Sequence, residues 1–159
     1  MNTASLEITT GSLEDTEAVA ERLGRACQGG ELLVLSGELG AGKTAFVRGL
    51  ARGLGCGPGA VRSPSYTLHH RHAGRLTLNH FDVYFTDTSE DLERSDLRAL
   101  LEAGEVVAME WGERFEQDLP SGALRVELLH TGEPEERRLR ITGRAPSAQR
   151  LLAALGPPD

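Results

Sequence analysis

A glycine-rich segment that ends in a lysine and a hydroxyl residue has the clearest chemical meaning in this sequence. It matches the pattern G-x-x-x-x-G-K-[ST] at every fixed position and consists of Gly37, Glu38, Leu39, Gly40, Ala41, Gly42, Lys43 and Thr44. Glycines let successive backbone N–H groups converge on phosphate oxygens, because no Cβ is in the way. The lysine reaches the β and γ phosphates, and the hydroxyl takes one position around magnesium. The segment therefore predicts binding of a nucleoside triphosphate with Mg²⁺.

The basic residues of the chain support this interpretation of Lys43. It is the only lysine in the sequence, and every other basic residue is an arginine. A compact, freely rotating ammonium is thus kept at the one position where it is needed to reach a phosphate tail. We assign Lys43 a catalytic as well as a binding role, because its charge lies where negative charge builds up during phosphoryl transfer.

Two acidic residues are candidates to complete the magnesium site. Glu110 follows the apolar run Val106–Met109, an arrangement typical of a Walker B strand with glutamate in place of aspartate. We predict that it holds Mg²⁺ directly or through water; the alternative is an acid that only marks a strand end. Asp82 lies between Phe81 and Val83, although strand interiors disfavour aspartate. We predict that it orients the attacking water or lies near the metal through water; the alternative is a turn cap.

Two further features lie where a nucleotide would be sensed. Residues Arg62–Thr67 follow the glycine-rich segment and its helix, and their hydroxyls are candidates to face the γ phosphate, or are polar loop residues. Trp111, the only tryptophan, comes directly after Glu110. Three roles stay open for it: contact with the nucleotide, contact with a partner, or a partly buried place in the core.

The elements that position these residues are a strand before the glycine-rich segment and a helix after it. The apolar run Leu32–Leu35 is bounded by glycines and predicts a strand buried on both faces, as in a parallel sheet. Apolar residues after Lys43 recur at helical spacing and predict an amphipathic helix. An earlier helix begins at the capping pattern Ser12–Asp15. Strand, glycine loop and helix in this order are typical of a phosphate-binding unit.

The rest of the sequence predicts a mixed sheet. We expect two strands within Tyr66–Phe85, a helix over Ser89–Leu101, a strand over Val106–Met109, a hairpin of Leu124–Leu129 with Arg137–Ile141, and a closing helix over Ala148–Leu155. The expected fold is α/β: a P-loop NTPase whose parallel central strands are flanked by helices and followed by a C-terminal antiparallel hairpin. Residues 1–159 form one such domain, with a tail from about residue 156.

Composition limits the surroundings in which this protein works. The chain has 17 basic and 24 acidic residues, a net charge of −7, which argues against unaided binding to nucleic acid. Two cysteines, Cys27 and Cys56, form neither a metal-binding spacing nor a disulfide framework. The longest apolar run, Leu151–Leu155, is far shorter than the roughly 20 residues of a membrane helix, and the N-terminal segment lacks the features of a signal peptide. We therefore expect a cytoplasmic protein with no membrane contact.

Four blocks of sequence, taken together, resemble the bacterial TsaE (YjeE) ATPases. They are residues Gly37–Leu50, Ser63–Leu68, His80–Tyr84 and Met109–Trp111, in the family's order. The resemblance implies that residues 37 to 43 hold the phosphates of ATP and that Thr44 and Glu110 coordinate Mg²⁺. It implies in addition that Asp82 supports hydrolysis and that Trp111 flanks the site. The chain departs from the family pattern at Ser65, Phe85 and Gly112.

The resemblance implies a function in tRNA modification. Proteins of this family bind and hydrolyse ATP, slowly when alone, and are required to make threonylcarbamoyladenosine next to the anticodon. They act on a complex of TsaD and TsaB, so that tRNA is reached only indirectly through that complex. Two alternatives share the same loop: a small-molecule kinase, and an adaptor that binds ATP without hydrolysing it.

Overall fold

A computed structural model describes residues 3–38, 40–57, 69–82, 97–110, 122–144 and 146–156 of the chain. In chain order the elements are β1 Thr3–Thr10, α1 Leu13–Ala26, β2 Leu32–Gly37, α2 Lys43–Gly53, β3 His69–His72, β4 Leu78–Asp82, α3 Leu97–Glu102, β5 Val106–Glu110, β6 Leu124–His130, β7 Arg137–Arg144 and α4 Ser147–Ala153. Among these residues, none of the helices combines the length and the apolar character required to cross a bilayer.

The strands form one mixed sheet in the order β1-β7-β6-β2-β5-β4-β3. Strand β2 lies between β5 and β6 and is parallel to both, and β4 is parallel to β5. The outer pairs β3/β4, β6/β7 and β1/β7 are antiparallel. The predicted α/β fold is confirmed, with its parallel central strands, flanking helices and C-terminal hairpin.

Alternate residues of the central strands enter two separate cores. Leu33, Leu35 and Ala108 face α1, α2 and α4, whose apolar side chains complete the larger core. Val34 and Met109 face the other side, in a smaller core that includes Leu97 of α3. Because both faces are covered, the first four residues of β2 and all of β5 are buried. The apolar runs seen in the sequence thus have a direct structural cause.

Helices α1 and α2 approach each other so closely that their backbones meet. A Cβ added at Gly49 would lie 2.1 Å from the carbonyl oxygen of Glu17, and one at Gly53 would lie 2.2 Å from that of Glu21. Only glycine allows this approach. Arg52 closes the outer rim of the contact by pairing with Glu17 at 2.6 Å and with Glu21 at 2.8 Å. The helix that follows the glycine-rich loop is therefore fixed to its neighbour along its length.

The elements differ from the sequence prediction in a few places. Strand β1 was not predicted, and it adds an edge strand paired only with β7 in the described sheet. The two strands expected within Tyr66–Phe85 are the short strands β3, His69–His72, and β4, which begins only at Leu78. Of the helix expected over Ser89–Leu101, the structure describes α3, Leu97–Glu102, and residues 89–96 lie outside the described part. Helix α1 begins as predicted, because the Ser12 side chain accepts a hydrogen bond from the Asp15 N–H at 3.1 Å.

Candidate nucleotide-binding site

The glycine-rich loop joins the end of β2 to the start of α2. Gly40 and Gly42 have φ angles of 81° and 103°, in the left-handed region that residues with a Cβ rarely adopt. Gly42 is the N-cap residue of α2, and no side chain caps that end of the helix. The first N–H groups of α2 therefore have no side-chain acceptor, and the positive end of the helix dipole lies at the same place. Both features favour binding of an anion there.

Lys43 is the first residue of α2, and 5% of the residue is exposed. Its Nζ folds back over the start of the loop and donates hydrogen bonds to the carbonyl oxygens of Gly37 and, at 3.3 Å, Glu38. A buried ammonium is costly unless its protons are hydrogen-bonded, and the loop carbonyls supply that compensation. The positive charge is thus held within the loop rather than extended into solvent.

The two predicted acidic residues occupy facing positions on neighbouring strands. Strands β2, β5 and β4 are parallel, so their carboxyl ends meet at one edge of the sheet. Glu110 ends β5 and is in register with Leu35 on one side and with Asp82, the last residue of β4, on the other. Leu35 precedes Gly37, where the loop begins. The sheet therefore brings Glu110, the backbone of Asp82 and the glycine-rich loop to the same edge.

Glu110 has a partner that sequence reasoning missed. Its carboxylate is almost fully buried, and Oε2 is hydrogen-bonded to Nε2 of His80, a fully buried residue of β4. The other ring nitrogen of His80, Nδ1, is buried with no hydrogen-bond partner in the described part of the chain. Because a buried carboxylate needs a donor, His80 fixes the orientation of Glu110. In the sequence His80 lies two residues before Asp82, and this strand spacing was the available signal.

Arg137 is the second residue that sequence reasoning missed. It begins β7, and its guanidinium reaches the carbonyl oxygens of Gly40 and Ala41 in the glycine-rich loop. No local pattern indicates this, because the arginine lies in the C-terminal hairpin.

Several predicted site residues lie outside the described part of the structure. They are Leu39, Trp111, the segment Ser63–Thr67, Phe85 and Gly112. Asp82 is described by its backbone alone. Thr44 is the second residue of α2, partly exposed, and so is placed beside the loop.

Comparison with known proteins identifies relatives over most of the chain. Residues 10–139 match the family model described as threonylcarbamoyl adenosine biosynthesis protein TsaE. A tRNA threonylcarbamoyladenosine biosynthesis protein TsaE from Treponema pallidum is 39% identical over 117 residues, 74% of this chain and 86% of the relative. The protein of the same name from Bacillus subtilis is 36% identical over 139 residues, 86% of this chain and 85% of the relative.

A solved structure extends the likeness to the whole architecture. The crystal structure of Bacillus subtilis YdiB superposes with a TM-score of 0.78 at 27% sequence identity. The superposition covers 98% of this chain and 96% of the other. The two chains share the P-loop NTPase fold.

Proposed function

The chain belongs to the TsaE family of tRNA threonylcarbamoyladenosine biosynthesis proteins, and from this we propose that it binds Mg²⁺–ATP at the glycine-rich loop and hydrolyses it. One observation carries the proposal. A loop with the fixed residues of a phosphate-binding motif holds a buried lysine at the edge of the sheet where Glu110 also ends its strand.

The side chains at this edge fit a magnesium ion. Mg²⁺ prefers oxygen ligands and is usually held by one or two carboxylates, with phosphate oxygens and waters completing its coordination. The carboxylate of Glu110 and the hydroxyl of Thr44 are such ligands, and the contact with His80 orients the carboxylate. Among the described residues there is no cluster of three His, Cys, Asp or Glu side chains for a fully protein-bound metal. The proposed ion would share its coordination with phosphate oxygens of the nucleotide.

Each residue then has a role in transferring the γ-phosphoryl group to water. The loop N–H groups and the start of α2 hold the phosphates, and Lys43 stabilises the charge that shifts toward the β–γ bridging oxygen. Thr44 and Glu110 would hold Mg²⁺, which would supply neutralisation of the phosphate charge. Asp82 orients a water molecule that attacks the γ phosphorus in line with the bond to the leaving oxygen. The P–O bond to ADP breaks as the new one forms, and inorganic phosphate and a proton leave.

We propose further that partner proteins of the TsaD and TsaB type use this cycle. The net charge of −7 favours docking on proteins over direct contact with the tRNA backbone, so tRNA is met only through the complex. Segment Ser63–Thr67 is the proposed site through which partner contact alters the slow hydrolysis of the isolated chain. The proposal includes a cytoplasmic location, since the tRNA to be modified is there.

Isothermal titration of Mg²⁺–ATP into the purified chain tests the binding step. Lys43→Ala is expected to lose binding, whereas Arg48→Ala, which removes an exposed positive charge from the same helix, is expected to keep it. Absence of heat with the parent chain, or equal heat with Lys43→Ala, would contradict the proposal.

Release of inorganic phosphate tests the chemical step. Asp82→Asn and Glu110→Gln are expected to retain folding and to lose most of the turnover. Hydrolysis that appears only when a small molecule is added, with phosphate found on that molecule, would instead indicate a kinase. Binding of ATP without hydrolysis, with or without partner proteins, would indicate an adaptor. Co-elution with a TsaD–TsaB complex that depends on ATP tests the partnership.

A further inference from the structure

The contacts of Arg137 are unusual for an arginine in a strand. Its side chain is buried, with 5% of the residue exposed. Nε donates to the carbonyl oxygen of Ala41 at 3.0 Å, and Nη2 donates to that of Gly40 at 3.2 Å. Nη1 donates to the carbonyl oxygens of Pro134 and Glu136 at 3.0 and 2.8 Å. The guanidinium thus joins the glycine-rich loop to the turn between β6 and β7 through backbone acceptors.

These bonds determine which way the loop peptides face. In a trans peptide, the C=O of one residue and the N–H of the next point in opposite directions. When Arg137 holds the C=O of Ala41, the N–H of Gly42 is turned away from the arginine. When it holds the C=O of Gly40, the N–H of Ala41 is turned away as well, and in the structure that N–H points across the loop to the Glu38 oxygen at 2.9 Å.

The loop needs such a support because its own sequence supplies little. Gly40 and Gly42 allow the required φ angles but also allow many others. The loop therefore loses much conformational entropy when it adopts one conformation. The guanidinium of Arg137 presents its donors in a rigid planar fork that sets the orientation of two adjacent peptides, whereas an ammonium rotates freely and sets no such orientation. The buried positive charge also lies against the loop, where it raises the potential felt by an anion.

We propose that Arg137 is a positioning residue of the phosphate loop: it holds the Ala41 carbonyl so that the N–H of Gly42 faces the nucleotide phosphates, and the Gly40 carbonyl so that the N–H of Ala41 closes the loop onto Glu38. This inference rests on the proposed nucleotide binding at the same loop. It gives the C-terminal hairpin a part in the nucleotide site, since Arg137 begins the second strand of that hairpin.

Three variants test the role. Arg137→Lys keeps the charge and loses the fork, Arg137→Gln loses both, and Arg138→Gln removes the same charge from the exposed neighbouring position of β7. We expect the dissociation constant of Mg²⁺–ATP to rise at least threefold for Arg137→Lys and at least tenfold for Arg137→Gln. Arg138→Gln is expected to stay within twofold of the parent.

A nucleotide-free measurement separates loop positioning from general stability. The amide resonances of Gly40 and Gly42 in a ¹H–¹⁵N spectrum should shift in Arg137→Lys, while resonances of α4 stay in place. Arg137→Lys that folds and binds Mg²⁺–ATP as tightly as the parent overturns the inference, whether or not Arg137→Gln folds. A parent chain that binds no Mg²⁺–ATP overturns the proposed function instead, and the two failures are therefore distinguishable.

Discussion

Replacing Gly49 with alanine tests the close contact between α1 and α2. Gly49 lies within α2, on the face against α1, where an added Cβ would stand 2.1 Å from the carbonyl oxygen of Glu17. That is about 1.3 Å short of the 3.4 Å at which ordinary contact begins. The Cα and carbonyl carbon of Glu17 are also close, each at 2.8 Å. Because all of these atoms are backbone, no side-chain rotation relieves the overlap, and the helices must separate.

Two effects of opposite sign determine the size of the change. Alanine is favoured over glycine in a helix interior by about 0.8–1 kcal/mol. Overpacking of a core typically costs about 1–3 kcal/mol and more when the backbone itself must move. We place this site at the upper end of that cost and expect a net loss of about 2 kcal/mol in the free energy of unfolding. For a chain of this length that loss lowers the melting temperature by about 4–8 °C.

Urea unfolding followed by circular dichroism measures the loss, with melting temperature as a second readout. Gly122→Ala is the matched control, because nothing lies within 4 Å of its added Cβ, and we expect a change below about 0.5 kcal/mol. If Gly49→Ala were as stable as the parent, or more stable by the helix-propensity gain, the described approach of the two helices would be wrong.

Three further outcomes follow from the described contacts. Burial lowers the pKa of His69 and His72 below the ordinary value of 6.5, so the unfolded chain binds more protons below that pH. The urea concentration at the unfolding midpoint should therefore decrease as the pH is lowered from 7.5 to 5.5, and it should decrease less in His69→Gln. A midpoint that does not change with pH would refute this. Burial raises the pKa of the Cys27 thiol to about 12, so we expect iodoacetamide to alkylate it at pH 8 at least tenfold more slowly in the folded chain than in urea. Ser12→Ala removes the N-cap of α1 and should cost about 1 kcal/mol in the same urea assay, while Ser12→Thr keeps most of it.

The parts of the fold that the sequence predicted are those with strong local patterns. Strands β2 and β5 are continuous apolar runs because both their faces are buried, and α2 has apolar residues at helical spacing. Strand β1 was missed although its sequence alternates between apolar and polar residues, as expected of a strand with one covered face. Its apolar residues, Ala4, Leu6 and Ile8, alternate with exposed polar ones and are only partly buried. Its pairing with β7 also joins residues at opposite ends of the sequence, which no local pattern reveals.

The candidate site likewise contains residues that a short stretch of sequence predicts and contacts that it does not. The glycine-rich loop consists of consecutive residues, and Glu110 ends an apolar run, so both could be proposed from short stretches of sequence. The contacts of His80 with Glu110 and of Arg137 with Ala41 depend on the order and register of strands. Sequence periodicity specifies which face a side chain occupies but not which strand lies beside it. The roles of Lys43, Thr44 and Glu110 stay predictions until nucleotide binding and hydrolysis are measured.

The order of the strands has a consequence for how the protein is made. Strand β2 and the loop after it are translated early, yet the neighbours of β2 in the sheet are β5 and β6, and Arg137 comes later still. Such long sequence separations make folding slow and leave apolar strands exposed on the way. A nascent chain that has been synthesised as far as Thr44 contains every residue of the motif. It contains neither β5 nor β6, the strands that lie beside β2 in the sheet. We therefore expect the proposed binding of a triphosphate to be acquired late in synthesis, after the hairpin has left the exit tunnel.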